Sequence, residues 1–308
     1  MPSNLSKETL DMFSNSNTIV SQFLALEHIY NTQELDAYMQ CIQKDEIGTQ
    51  YSESSSVDVV VLCASAILAV PEAVFGWACQ QGQMHPDTQQ RDLVLVLCGG
   101  IGPRTPFFYD AIKASNKYCQ IFKDIYGKPE GQVLKIMAER FYGLKINGTQ
   151  QQQPVHESQN TRFNILVADR SMEYGVDASG IRKVLEHHGI RSPRSILVVQ
   201  DPAMSNHTVL SFEETYVNKE AQVFSWPRVK PMASSPRAKS QSQAYRKESA
   251  KELWSMDRFL DRIWRETSRP HAGQVPSDSG NRPRIDIPNE VEDAWSTFMD
   301  KHSITAIA

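Results

Sequence analysis

The sequence has no run of apolar residues long enough to cross a bilayer. A membrane-spanning helix needs about 18 such residues, and the longest apolar runs here are far shorter. The first segment, MPSNLSKETLDMF, also has no apolar core of signal-peptide length. We therefore expect a cytoplasmic protein that does not have the membrane as a partner.

An excess of positive charge is also absent. The chain carries 32 Lys and Arg residues against 36 Asp and Glu residues, which gives a formal net charge of −4. Without an overall basic field there is no general attraction for nucleic acid, so nucleic acid is not expected as a partner. A small-molecule ligand is the expected partner, and the oligomeric state is left open.

Cysteine and histidine are too scattered to indicate a metal or a disulfide framework. The five cysteines are an odd number and form no C-x-x-C pair. Cys63 and Cys98 each end an apolar run, where a thiol behaves as a small hydrophobic group. There is no H-E-x-x-H motif for zinc and no G-x-S-x-G motif for a serine hydrolase. We expect reduced, buried cysteines and no bound metal.

Five short apolar runs alternate with segments of helical spacing. The runs are Val57–Cys63, Asp92–Cys98, Arg162–Asp169, Ser195–Asp201 and Ala221–Trp226. Continuous β-branched runs such as the first are typical of strands that are covered on both faces. The alternation predicts an α/β fold with a doubly wound, mainly parallel, five-stranded sheet. Ligands of such sheets bind beyond the carboxyl ends of the strands, where the winding reverses.

The ends of the chain differ in composition from this central part. We predict helices in residues 1–50, a ligand-binding domain over residues 51–228, and a loop followed by helices in residues 229–308. The segment from 229 to 242 is rich in Pro, Ser, Lys and Arg, which favours a flexible loop, with a role as a lid left open. The terminal helices are expected to pack together as a smaller helical region.

A glycine-rich turn follows the second predicted strand. Gly99, Gly100 and Gly102 can adopt positive φ, and the helix entered near Thr105 has N-terminal N–H groups that suit an anion. The spacing is G-G-x-G, which is neither the dinucleotide fingerprint nor a Walker A loop. Two interpretations stay open: a turn that holds a ligand, and a tight bend between strand and helix. Taken alone, the motif favours the bend.

Polar residues follow the other strands. Ser65 is expected to be exposed after the first, Asp169 and Ser171 follow the third, and Gln200 and Asp201 end the fourth. Carboxylates at this edge can accept hydrogen bonds from ribose hydroxyls, or they can simply cap the following turns. The convergence of several such residues favours a binding site.

The order of several stretches resembles a known family. These are LCGGIGPRTPFFYDAI, KPEGQVLKIMAERF, ADRSMEYGVDA and ILVVQDPAMSNHT, followed by MDRFLDRIWRE and IDIPNEVEDAW. From about Thr18 to Met299 the chain resembles the YdcF-like proteins of the domain-of-unknown-function 218 superfamily, which also contains SanA and ElyC. The resemblance implies a Rossmann-like domain with a deep cleft, and S-adenosyl-L-methionine as a candidate ligand. It implies no settled reaction.

Two of the family's patterns are poorly kept. Its S-x-N-T-x-E-N stretch falls on Ser171 to Asp177, where only Ser171 matches, and its H-M-x-R pattern falls on Ala203 to Asn206, where only Met204 matches. Loss of that arginine removes a bidentate anion contact, which makes phosphate-ester chemistry less expected. The family's acidic residue before the next helix falls on Glu130.

We therefore expect a protein that binds a nucleotide-type small molecule, with S-adenosyl-L-methionine as the first candidate, and a transferase activity is left open. A hydrolase or transferase of phosphorylated substrates and a non-catalytic binding protein are the alternatives. No catalytic residue is assigned, although Glu130 and His207 are candidate bases. The expected binding residues are Ser65, Gly99, Gly100, Ile101, Gly102, Thr105, Glu130, Asp169, Ser171, Asp201 and Met204.

Overall fold

The computed structural model describes most of the central part of the chain. The described residues are 15, 16, 19, 23, 32–37, 57–81, 92–146, 163–169, 178–216, 221–226, 288–294 and 296–297. Predictions for Ser171, for the 229–242 loop and for most of the terminal helices lie outside these residues. The proposed packing of the two ends of the chain therefore stays a prediction.

A five-stranded sheet forms the centre of the fold. Its strands are β1 (Val57–Cys63), β2 (Asp92–Cys98), β3 (Phe163–Ala168), β4 (Ser195–Val199) and β5 (Gln222–Ser225). They lie in the order β3-β2-β1-β4-β5, and every neighbouring pair is parallel. The predicted doubly wound α/β fold is confirmed, with the strand order of a Rossmann-like sheet. The winding reverses between β1 and β4, and we call this position the switch point.

Helices cover both faces of the sheet. They are α1 (Ala69–Gln81), α2 (Thr105–Ala114), α3 (Phe122–Ile125), α4 (Glu130–Tyr142), α5 (Ala178–His187) and α6 (Pro202–Thr215), with a 3-10 turn at Cys119–Ile121 before α3. Side chains of α1, α2 and α4 pack on one face of the sheet, and those of α5 and α6 pack on the other. Because β1 is covered on both faces, its alternate residues, Val60 and Val61 among them, are all buried.

Prolines and a glycine mark three helix boundaries. Helix α1 begins two residues before Pro71, which lies in its first turn. Helix α6 begins at Pro202, directly after β4, although only the later stretch from Ser211, SFEETYV, has a helical pattern in the sequence. Proline suits the first helical position, so Asp201 followed by Pro202 is a recognised start signal. Helix α4 ends at Tyr142, and the next residue, Gly143, takes a left-handed conformation with φ of 65°.

A buried ion pair sets the register of β1 against β4 at the amino edge of the sheet. Asp58 is the Cα partner of Ser195 and accepts a hydrogen bond of 2.7 Å from the Ser195 hydroxyl. Arg194 adds a second bond of 3.0 Å from its Nε, and its Nη2 bonds the other carboxylate oxygen. A shift in register would separate these groups and leave a buried charge without its hydrogen bonds.

Residues 32–37 are helical and pack against α1. Asp36 accepts hydrogen bonds from Trp77 Nε1 at 3.0 Å and from Gln81 Nε2 at 3.1 Å, and Leu35 is fully buried in the same core. This contact attaches an N-terminal segment directly to the α/β domain. Within the described ranges, no helix has both the length and the apolar character needed to cross a membrane.

Candidate functional site

A serine and a carboxylate meet at the switch point. Ser65 lies just after β1 and Asp201 just after β4, and the Ser65 hydroxyl donates a short hydrogen bond to Asp201 Oδ1. The same Ser65 oxygen accepts a bond of 2.9 Å from the Ile67 N–H. Both residues are buried, with 2% and 4% exposure. The expectation that Ser65 is exposed is wrong, because the neighbouring end of β4 covers it.

Asp201 occupies the N-cap position of α6, but its side chain does not cap the helix. Its backbone carbonyl accepts from the Met204 N–H at 2.8 Å, and its own N–H donates to Gln200 Oε1 at 2.8 Å. The carboxylate is therefore held toward β1 through Ser65. Of the two alternatives for this residue, the capping role is contradicted.

Gly99 is shaped by its contact with α4. Its φ is 154°, and a Cβ added there would lie 2.7 Å from the Glu130 Cβ and 3.2 Å from the Ala64 Cβ. Its carbonyl accepts from the Gly131 N–H at 2.7 Å, while the Gly100 carbonyl accepts from the Glu130 N–H at 3.2 Å. The glycine turn thus supplies the acceptors for the first two N–H groups of α4.

Gly131 completes this close approach. A Cβ at Gly131 would lie between 3.1 and 3.3 Å from the carbonyl oxygens of Leu97, Ala168 and Gly99. Only a glycine lets the first turn of α4 come this near to the ends of β2 and β3. Glu130 is thereby held beside Gly99, at the carboxyl edge of the sheet.

The start of α2 does not offer the N–H groups that the sequence suggested for an anion. The Thr105 N–H donates to the Gly102 carbonyl at 3.1 Å, Pro106 has no N–H, and the Phe107 N–H donates to the Arg104 carbonyl at 2.9 Å. The Gly102 N–H is bound by Thr105 Oγ1 at 2.9 Å. The expected positive φ is found at Gly99 but not at Gly100 or Gly102. Thr105 is buried and closes the turn from within.

Gly100 contributes an N–H group at this edge. Among the described residues, no backbone carbonyl accepts a hydrogen bond from it. Ile101, the next residue, is 48% exposed and projects an apolar side chain at this edge. A polar donor and an apolar surface therefore lie side by side in the turn.

Arg104 connects the two sides of the switch point. It lies in the turn after β2, and its Nη1 is 3.7 Å from the sulfur of Met204 on α6, a residue that is 1% exposed. Because β1 lies between β2 and β4 in the sheet, this contact passes over the carboxyl end of β1. Arg104 was not among the predicted site residues, because its partner Met204 lies 100 residues away in the chain.

Asp169 lies at the other side of the edge, after β3. Its Oδ2 accepts a bond of 2.7 Å from Gln132 Nε2, on the first turn of α4. Gln132 was not predicted as a site residue, because its partner Asp169 lies 37 residues away in the chain. Asp169 and Glu130 are linked through this turn of α4, whereas Ser171 lies outside the described residues.

Two thiols lie beneath the site. Cys63 and Cys98 are Cα partners on β1 and β2, and both are buried. A hydrogen bond with Cys98, burial, and the negative charges of Asp201 and Glu130 all raise the pKa of the Cys63 thiol. The effect of both carboxylates on one thiol is consistent with their position around the end of β1. Both cysteines are buried, as the sequence predicted, whereas the prediction of burial is wrong for Cys119, which is exposed.

The geometry defines a binding site for a small polar ligand at the carboxyl edge of a parallel sheet as the class of site. The candidate binding residues of β1, β2, β3, β4 and the first turn of α4 lie on one edge of a parallel sheet, and their carboxylates can accept hydrogen bonds from hydroxyl and ammonium groups. His207 is half-buried on α6. Among the described residues there is no group of three metal-ligating side chains. No protein-family model matches this chain.

Proposed function

We propose that this chain is a cytoplasmic YdcF-like protein that binds a nucleotide-type small molecule at the carboxyl edge of its sheet, with S-adenosyl-L-methionine as the leading candidate. The observation that carries the proposal is the hydrogen bond of Ser65 with Asp201 at the end of β1, with Glu130 held beside Gly99 at the end of β2. Ligands of doubly wound sheets bind at this switch point. The order of the family-like stretches supports the family assignment, and cell fractionation tests the location.

The donors and acceptors at the edge fit this ligand. S-Adenosyl-L-methionine has two ribose hydroxyls, a sulfonium, an ammonium group and one carboxylate. Asp201, Glu130 and Asp169 are acceptors for the hydroxyls and counter-charges for the cations. The Gly100 N–H is a donor for the carboxylate, and Ile101 offers an apolar surface to the base.

Binding and catalysis are separate parts of the proposal. When bound, S-adenosyl-L-methionine supplies an electrophilic methyl group, and the chain's part is to hold it and to align an acceptor. The Ser65 hydroxyl holds the Asp201 carboxylate in place, and Gly99 does the same for Glu130 by contact. Glu130 and His207 are the candidates for accepting a proton from an acceptor substrate. Turnover distinguishes a transferase from a non-catalytic binding protein.

Calorimetry with S-adenosyl-L-methionine tests the binding. We expect saturable heat with the folded chain, and at least about tenfold weaker affinity for Asp201→Asn, because a charged hydrogen-bond partner of the ligand is lost. Asp110→Asn, an exposed position on α2, is the matched control and should bind normally. Circular dichroism shows that each variant is folded. Absence of heat at millimolar ligand from folded protein would contradict the proposal.

A second variant distinguishes the loss of a ligand contact from a disturbance of the local structure around Asp201. Asp201 also organises Ser65, so Ser65→Ala is included to separate the carboxylate from its support. We expect Ser65→Ala to weaken binding less than Asp201→Asn, since the charge remains. Equal loss in both variants would assign Asp201 a structural role only.

A further inference from the structure

Two helices that begin at the carboxyl edge, α2 and α4, have first-turn N–H groups that are occupied by the protein itself. Free N–H groups at helix N-termini are the usual means by which doubly wound folds bind phosphate. In α4 the N–H groups of Glu130, Gly131 and Gln132 donate to carbonyls of Gly100, Gly99 and Pro129. In α2 the first-turn groups are bonded within the turn, as described above. The N-termini of α2 and α4 therefore have few free N–H groups with which to bind a phosphate.

The first turn of helix α6 has two positions that offer no free N–H group. Pro202 has no N–H, and the Met204 N–H donates to the Asp201 carbonyl at 2.8 Å. The side chain at this terminus is a carboxylate, which repels a phosphate. A helix N-terminus with free donors attracts negative charge. Here the Asp201 carboxylate points away from its own helix toward β1, and it disfavours an anionic ligand at this position.

The charges of the edge point the same way. Asp201 follows β4, Glu130 opens α4 beside Gly99, and Asp169 follows β3. The neighbouring cation, Arg104, has its Nη1 at 3.7 Å from the Met204 sulfur. Three carboxylates from three segments of the chain therefore lie at this edge: Asp201 is buried, and Glu130 and Asp169 are half-buried. Such a surface favours hydroxyl groups and cations over dianions.

We propose that the carboxyl edge selects a phosphate-free nucleoside, with a preference for one that carries a positive charge, and rejects the same nucleoside when it is phosphorylated. The inference rests on the proposed function, because it concerns the same site. It goes further because it specifies the charge of the ligand. If it is correct, phosphorylated compounds, the substrates of the alternative hydrolase or transferase, bind poorly at this edge.

Matched ligand pairs test the inference. The full chain is titrated calorimetrically with adenosine and AMP, which differ by a phosphate, and with S-adenosyl-L-methionine and S-adenosylhomocysteine, which differ by a methyl cation. We expect adenosine to bind at least about tenfold more tightly than AMP, and the sulfonium to bind more tightly than the neutral thioether. AMP that binds as tightly as adenosine, or more tightly, would overturn the inference.

The two proposals fail in different ways. Binding of adenosine without binding of S-adenosyl-L-methionine removes the leading ligand of the proposed function but supports the preference against phosphate. Tight binding of AMP keeps a nucleotide-binding function and overturns the selection. Absence of binding by all four compounds overturns both.

Ionic strength and a matched pair of variants test whether electrostatic repulsion causes the difference in affinity between adenosine and AMP. Raising the ionic strength should narrow the ratio of adenosine to AMP affinity, since screening weakens the repulsion. Glu130→Gln should narrow the ratio several-fold, whereas Glu139→Gln, the same change at an exposed position of α4, should leave it unchanged. Asp169→Asn is a second test if Glu130→Gln does not fold. A ratio that neither salt nor these variants change would overturn the electrostatic selection.

Discussion

Gly99 shows how one residue links the glycine turn to the site. Its positive φ and its contact with the Glu130 side chain mean that the turn seats α4 on the sheet. Its carbonyl completes this by binding the Gly131 N–H. The bend interpretation thus explains Gly99, while the Gly100 N–H is the part of the turn that suits a ligand.

Gly99→Ala should lower the free energy of unfolding by about 2–4 kcal/mol, since both the backbone conformation and the contact with Glu130 become unfavourable. The matched control is Gly76→Ala in the interior of α1, where an added Cβ meets nothing within 4 Å. The control should gain about 0.5–1 kcal/mol from helix propensity. Urea denaturation measures both. Equal stability of Gly99→Ala and the natural chain would contradict this account.

At the scale of elements, the strands were predictable and the start of α6 was not. β-Branched runs such as Val57–Cys63 have no stable alternative to burial on both sides, so their pattern alone identifies them. The residues Pro202 to Leu210 lack strong helical spacing, and in the sequence they gave no amphipathic signal. Packing of Val209 and Phe212 into the core decides their conformation.

The contact between α5 and α6 contains a buried tyrosine hydroxyl. The guanidinium of Arg182 lies 5.5 Å from the centre of the Tyr216 ring, and its Nη1 donates to the Thr215 carbonyl at 2.9 Å. Among the residues that the structure describes, the Tyr216 hydroxyl has no hydrogen-bond partner. Burial raises the pKa of Tyr216 to about 12, although Arg182 acts in the opposite direction.

Tyr216→Phe should therefore keep or raise the free energy of unfolding at neutral pH, by up to about 1 kcal/mol, because a buried polar group without a partner is removed. The pKa of Tyr216 is higher in the folded state than in the unfolded state. The free energy of unfolding is therefore unaffected by this group below pH 10, and it falls as the pH rises from 10 to about 12. The phenylalanine variant should lack that part of the alkaline loss. Urea denaturation across this pH range measures it.

The control for this prediction is Tyr109→Phe. The Tyr109 hydroxyl donates to the Lys128 carbonyl at 2.6 Å, so its removal should cost about 0.5–1.5 kcal/mol. A clear loss of stability at neutral pH in Tyr216→Phe, similar to that in the control, would show that the Tyr216 hydroxyl has a partner in solution.

At the scale of the whole molecule, the two edges of the sheet have different roles. The amino edge contains the buried set of Asp58, Arg194 and Ser195, whose charges and hydrogen bonds satisfy one another. The carboxyl edge contains carboxylates from three separate segments of the chain: Asp169 after β3, Asp201 after β4 and Glu130 at the start of α4. The two edges lie at opposite ends of the strands. A substitution at the amino edge therefore makes no direct contact with the residues of the carboxyl edge.

Arg194→Met should lower the free energy of unfolding by about 3–5 kcal/mol, since it leaves the Asp58 carboxylate buried without its cation. The double variant Asp58→Leu with Arg194→Met should recover most of that loss. Ligand affinity of the folded double variant should equal that of the natural chain. A change in affinity with no change in the folded fraction would contradict the separation of the edges.

Much of the site was predictable because parallel strands end on one edge, so polar residues after strand ends had to lie near one another. The sequence could not show whether Asp201 capped its helix or bonded Ser65, because both need the same residue at the same position. The exposure of Ser65 was predicted wrongly for the same reason, since it depends on the neighbouring strand. Arg104, Gln132 and Gly131 escaped notice because their partners lie far away in the chain.

The sequence by itself determined the α/β class, the five strands and the group of residues at the carboxyl edge, because short-range patterns of burial and propensity decide them. Only the tertiary structure decided which N–H groups are occupied and where each carboxylate points. Those properties depend on contacts between residues as far apart as Ser65 and Asp201, and on distances of tenths of an ångström around Gly99. Local patterns carry no information on either.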